Sequence, residues 1–270
     1  MKRAPRAPAL FVSHGAPTFA LEPGLLGPKL AWLGEQLLGL AAVVVVSAHW
    51  QTPGVHVMRT AAPETIHDFG GFPPALYRLQ YPAPGAPALA AQTAVLLKAA
   101  GFDVSFDDVR GLDHGVWVPM LYMLPEARIP VFQVSLPFAF DAQKALQLGG
   151  ALAPLRQQGV LVMGSGSLTH NLREIGQTDP ANTTYALEFT AWVRRHVQGK
   201  DIDALVDYRR RAPHAQRAHP TEEHFLPLLV AAGASDDEDD VEVIEGGMTY
   251  GVLSMESYVF GSPLIVNKRL

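Results

Sequence analysis

Short apolar runs bounded by Gly, Pro or Ser recur along the chain, and each reads as a buried strand. The clearest are Ala9–Val12, Ala41–Ser47, Val55–Arg59, Ile129–Ser135 and Val160–Met163, followed by Val241–Ile244 and Ser257–Phe260. The run at 41–47, AAVVVVS, lacks polar alternation, which is the pattern of a strand covered on both faces. Helical spacing fills the intervals. Ala86–Ala100 is rich in Ala and Leu and stops at Gly101. Thr184–Val197 repeats apolar residues at helical spacing and stops at Gly199. Thr221 is expected to cap a helix running to Ala232 and ending at Gly233. Glu222 and Glu223 would then lie in a first turn, where the helix dipole favours carboxylates. Strands alternating with helices predict one α/β domain over residues 1–270, with a mostly parallel central sheet flanked by helices.

Composition narrows the class. The 270 residues are 48% hydrophobic with a net charge of -5, which excludes a disordered chain and suffices for a full core. The balance of 21 basic and 26 acidic residues gives no footprint for nucleic acid. No apolar run has the length of a membrane span. The basic start, with Lys2, Arg3 and Arg6, is not followed by the apolar segment of a secretory signal. Cysteine is absent, which excludes disulfides, thiolate metal sites and a cysteine nucleophile and fits a cytoplasmic location. The one charge run, Asp236–Asp240, is expected in a solvated loop.

Without cysteine, any metal must be held by His, Asp or Glu. Three of the ten histidines fall just past the carboxyl ends of predicted strands: His14 in SHGAP, His49 in SAHW and His170 in GSGSLTHN. That edge is where ligand sites form in open α/β sheets. One histidine after a strand more often serves a loop than a ligand, but the same placement three times has no such explanation. Gly15, Gly164 and Gly166 are expected to let backbone approach a bound group. Two further stretches carry histidine: GLDHGVWVPM, with His114 before an expected helix Val118–Leu124 and Trp117 able to wall a pocket, and HPTEEHFLPL, with His219, Glu223 and His224. His67, with Asp68, Phe69, Phe72 and Tyr77, reads as a substrate-side loop. His56, His196 and His214 read as structural or surface residues.

A site of imidazoles, or imidazoles and a carboxylate, suits zinc, iron, copper or nickel rather than magnesium or calcium. With zinc it would acidify water for hydrolysis; with ferrous iron, open positions would take a substrate and dioxygen. The residues alone leave both open. Spare histidines would move protons. Gly164–Ser167 lacks the G-x-S-x-G spacing of a nucleophile elbow, and GSGSLT lacks the third glycine of a dinucleotide loop.

The five motifs SHGAP, SAHW, LDHGVWVPM, GSGSLTHNL and HPTEEHFLPL, in this order, resemble the DOPA-dioxygenase-type members of the class III extradiol ring-cleavage dioxygenases, relatives of protocatechuate 4,5-dioxygenase catalytic subunits. The resemblance spans Phe11 to about Phe260. It implies non-haem ferrous iron, with zinc able to take the same site. It implies His14 and His49 as ligands and a further ligand from 219–228, assigned to His224 with His219 and Glu223 as alternatives. His170 would complete the coordination or act beside it as acid/base, and His114 would be the second proton carrier. The reaction implied joins a catechol with O2, cleaving the ring next to the hydroxyls to give a muconic semialdehyde. A zinc hydrolase on the same ligands and a metal-free binding relative are the alternatives. An acidic catechol such as DOPA would want a cation, for which Arg59, Arg78, Arg110 and Arg173 are candidates.

Overall fold

The computed structural model describes residues 6–37, 39–176 and 180–262; Lys2 and Arg3 lie outside. Six strands form the central sheet, in the spatial order Val131–Gln133, Ala42–Ser47, Val160–Gly166, Ala9–Ser13, Ser257–Phe260 and Val241–Ile244. The first three pairings are parallel and the last two antiparallel. The expected mostly parallel sheet is therefore present, with one strand reversed near an edge. The Val-rich strand Ala42–Ser47 is buried at every position because helices cover both faces.

Helix Leu226–Gly233 packs across Val160–Gly166 and against helix Ala142–Leu152. Glycines make this crossing close. A Cβ on Gly149 would lie 2.0 Å from the Val230 carbonyl oxygen, and one on Gly233 would lie 2.1 Å from that of Leu146. Among the described residues no helix is long and apolar enough to cross a membrane.

Several expectations need correction. Val55–Met58 does not join the central sheet; it pairs in parallel with Val104–Asp107 in a small sheet of its own. The Ile129–Ser135 run supplies only Val131–Gln133 to the main sheet, after which Leu136–Pro137 pairs with Gln51–Thr52. Thr221 caps no helix. Its hydroxyl donates to Glu223 Oε1, and the helix starts at Leu226, so the dipole argument for Glu222 and Glu223 lapses. The helix expected at Val118 begins at His114. The acidic run is not wholly solvated either. Asp239 is 4% exposed and accepts from Arg156 Nη1 at 2.7 Å and from Arg6. A buried carboxylate needs such partners to remain charged.

Candidate metal centre

Strand register sets up the site. Ser13 lies opposite Gly166 and Ser47 opposite Ser165, so three parallel strands end level. His14 follows one of these ends directly, and His49 lies two residues past another. The third member arrives from elsewhere. The 224–227 backbone lies directly on the strand Val160–Gly166, where Gly166 has no side chain to hold it off. A Cβ there would stand 2.1 Å from the His224 carbonyl oxygen, and one at Gly164 would stand 1.9 Å from that of Pro227. These glycines therefore admit the protein's own chain, not a bound group as expected from the sequence. Gly15 adopts φ +64°, where its missing Cβ leaves room for Met255.

His49 Nε2 lies 3.0 Å from His14 Nε2 and 3.3 Å from His224 Nε2. Their other ring nitrogens fix where the protons are. Ser165 donates its hydroxyl proton to the Gly115 carbonyl, so it accepts from His14 Nδ1–H at 2.9 Å. His224 Nδ1–H donates to Glu223 Oε1 at 3.0 Å. His49 Nδ1 faces the Asp68 carboxylate at 3.6 Å. Ser165 and Glu223 thus hold the His14 and His224 protons on Nδ1, and the Asp68 charge favours the same for His49, so that the three Nε2 lone pairs face one another. Without a cation among them they repel. Bonds of about 2.1 Å to one ion imply N–N separations of about 3.0 Å at right angles and about 3.4 Å at tetrahedral angles. The two separations from His49 fit that range, and ligand nitrogens of all three residues lie within 4.8 Å of one another. The Nδ1 partners are the kind of outer contact that orients ligating histidines.

Burial reinforces the neutral state. His14 and His224 are held well below the usual imidazole range, first by burial and then by the other imidazoles around them. Burial lowers His49 to about 4, with His114 adding to the effect and Asp113 and Asp68 opposing it. Neutral imidazole is the metal-binding form.

Two more imidazoles adjoin this triad. His114 packs on His49 with ring centroids 4.0 Å apart, and its Nδ1 lies 3.0 Å from Asp68 Oδ1. Asp68 also accepts the His114 backbone N–H at 2.9 Å, opening the helix. Burial would raise the Asp68 carboxyl, but the bonds and charge of His114 outweigh it and hold it at about 2. His170 stacks flat on His224, with centroids 3.4 Å apart and planes 10° from parallel. Burial lowers it to about 4, partly offset by Glu223. His170 groups with Glu223 and His224, and His114 with His49 and Asp68, as clusters adjoining the three Nε2 atoms.

The remaining candidates separate clearly. His219 is fully buried and donates Nε2–H to the Leu168 carbonyl, so it does not reach the triad. Glu223 serves His224 from its Nδ1 side. Phe69 lies edge-on to His114 at 5.7 Å and contacts Phe72, Tyr77 and Trp117, building an aromatic wall with His67. Among the arginines, Arg59 pairs with Asp108, Arg78 donates to the Pro74 carbonyl, and Arg110 donates to Asp113 while lying over Trp50. Arg173 sits three residues past His170. His56 is in its small sheet, His196 pairs with Asp201 and His214 with Glu188. Ser165, which sets the His14 tautomer, was not singled out by the sequence; its place opposite Ser47 appears only once the strands are paired.

A parallel α/β sheet with convergent neutral imidazoles at its carboxyl edge defines a metal-dependent enzyme. Comparison with known proteins narrows this. Residues 25–261 match the family described as the catalytic LigB subunit of aromatic ring-opening dioxygenase. A protein of Beta vulgaris named 4,5-DOPA dioxygenase extradiol is 39% identical over 257 residues, covering 93% of this chain and 96% of that protein. One of the same name from Escherichia coli K12 is 40% identical over 261 residues, covering 95% of each. The crystal structure of an uncharacterized protein from Escherichia coli K12 matches with a TM-score of 0.78 at 33% identity, covering 95% of this chain and all of that one. The chain belongs to the LigB family of extradiol ring-opening dioxygenases. It is a metal-dependent enzyme that opens an aromatic ring with dioxygen, so the hydrolase and metal-free alternatives fall away.

Proposed function

We propose that the enzyme cleaves a catechol with a carboxylated side chain, DOPA being the reference substrate, with ferrous iron held by His14, His49 and His224. The observation that carries this reading is the convergence of the His14, His49 and His224 Nε2 atoms beside two further imidazoles. The relatives named 4,5-DOPA dioxygenase extradiol support the substrate class. Ferrous iron, when bound, supplies the electron transfer that lets a catechol react with dioxygen, whereas zinc fits the same nitrogens without redox chemistry.

The protein's own groups manage protons and position. The Asp68 carboxylate, 3.0 Å from His114 Nδ1, favours a proton on that nitrogen by its charge, which would leave Nε2 to take a proton from a catechol hydroxyl. His170, neutral at pH 7, is the second carrier: it takes the proton of the other catechol hydroxyl and returns that proton as the ring opens. We assign it to acid/base work rather than coordination because its ring lies flat against His224. Phe69 and Tyr77 wall the side from which an aromatic ring would approach His114. Both atoms of O2 enter the product, a muconic semialdehyde. The cytoplasm is the expected location for this cysteine-free chain.

The test is anaerobic loading with ferrous iron or zinc, then air and a catechol panel including DOPA and uncharged analogues. Iron-dependent oxygen uptake with a yellow product, lost in His49→Ala, supports the reading. Oxygen uptake with zinc alone overturns the iron assignment, and equal rates with uncharged catechols overturn the substrate class.

A further inference from the structure

His219 has no role in the reaction as described, yet it is 0% exposed. It sits among Phe225, Phe189 and Tyr208, with ring centroids at 5.3, 5.5 and 6.3 Å. Its Nε2–H donates to the Leu168 carbonyl at 2.9 Å, while its Nδ1 has no partner. An apolar side chain would fill this place without leaving a buried lone pair unpaired. The bond to Leu168 is what the imidazole adds.

That bond reaches the turn carrying His170. Ser167 N–H donates to the His224 carbonyl at 3.0 Å, and Leu168 N–H donates to Ser13 Oγ at 3.1 Å. His170 N–H donates to the Ala218 carbonyl at 2.8 Å, one residue before His219. The 218–219 segment is itself anchored: His219 N–H donates to the Ala215 carbonyl, and Arg209 donates to the His219 carbonyl at 2.7 Å. Residues 167–170 are thus strapped to the same stretch of chain that supplies His224. The Leu168 carbonyl is held by a side chain 51 positions away.

We propose that His219 is a positioning residue for His170: through Leu168 it fixes the turn that lays His170 flat on His224. This rests on the reading of His170 as a proton carrier. A small displacement of such a group slows chemistry without weakening substrate binding.

The experiment compares His219→Gln, whose amide can still donate to Leu168, with His219→Asn, which is too short, and His219→Leu. In the iron-loaded enzyme, Asn and Leu are expected to lower kcat about tenfold to a hundredfold at equal metal content, with KM within about twofold and Gln within about threefold of the native kcat. His170→Ala/His219→Leu should be no slower than His170→Ala alone. A second readout needs no metal. In the metal-free protein the His170 ring proton resonance, displaced by the stacked His224 ring, should move toward its unstacked position in Asn and Leu but not in Gln. If Leu fails to fold, the Asn–Gln comparison decides. Native kcat and an unmoved His170 resonance in Asn overturn the proposal. So does a double variant slowed by the product of the two single effects. If His170→Ala keeps native kcat, the proton-carrier reading of His170 fails, and the resonance alone decides whether His219 sets its ring.

Discussion

Glu223 Oε1 accepts a hydrogen bond from His224 Nδ1 at 3.0 Å and another from the Thr221 hydroxyl at 2.9 Å. Glu223, an alternative ligand from its place in HPTEEHFLPL, thus stands behind the ligand. The carboxylate keeps the His224 proton on Nδ1 and raises the basicity of Nε2.

Removing that carboxylate should weaken metal binding without unfolding the protein. Glu223→Ala is expected to lower zinc affinity by about 10- to 100-fold, read by competition against a chromophoric chelator. Glu223→Gln, which keeps an oxygen near Nδ1 but loses the charge, should fall between the two. Unchanged affinity in the alanine variant would show that His224 needs no such support.

Asp68 should matter more to turnover than to metal binding. It contacts His114 at 3.0 Å but His49 only at 3.6 Å. Asp68→Asn removes the negative charge beside His114 Nδ1 and is expected to lower kcat per bound iron by about 10²–10⁴-fold. Metal content should stay near native. A variant that loses metal and turnover in parallel would place Asp68 in the service of His49 instead.

Gly166 tests how the third ligand is brought in. Gly166→Ala would place a methyl 2.1 Å from the His224 carbonyl oxygen, where backbone must move. Overpacking of this kind costs about 1–3 kcal/mol, and here it should also displace His224. Lower thermal stability and reduced zinc affinity are expected together, against Gly70→Ala, which enters open space, as a control. Native zinc affinity in Gly166→Ala would separate the glycine from the site.

The sequence made His14 and His49 legible because each comes within two residues of the end of an apolar strand, and such strands form the centre of a parallel sheet. What it hid was non-local. Gly164 and Gly166 look like a ligand loop until Pro227 and His224 are seen lying on them. Thr221 has the right residue type and spacing for an N-cap, but its hydroxyl goes to Glu223, and Pro227 in the first turn marks the true start. Helix Ala142–Leu152 escapes notice because Gly149 and Gly150 weaken its helical signal, although Gly149 is what permits the close crossing. Asp239 reads as one charge in an acidic run; its partner Arg156 lies 83 residues away.

Acid should destabilise the metal-free protein well above the carboxylate range. Burial holds His219 at about 3 in the folded state, against 6.5 for an ordinary imidazole. Between these values the unfolded chain binds a proton that the folded chain excludes, so stability is full above pH 6.5 and falls as pH drops toward 3. The slope from one such group is up to about 1.4 kcal/mol per pH unit. His14, His49, His170 and His224 are depressed in the same direction and steepen it. His219 is the group to remove, because it lies off the metal triad and Gln can keep its hydrogen bond. Urea unfolding of the metal-free protein at pH 7, 6 and 5 should show stability falling with acid, and His219→Gln should flatten that fall by about one group's worth. An unchanged slope in His219→Gln would mean that the buried imidazole takes up its proton in the folded state and is not the acid-sensitive element.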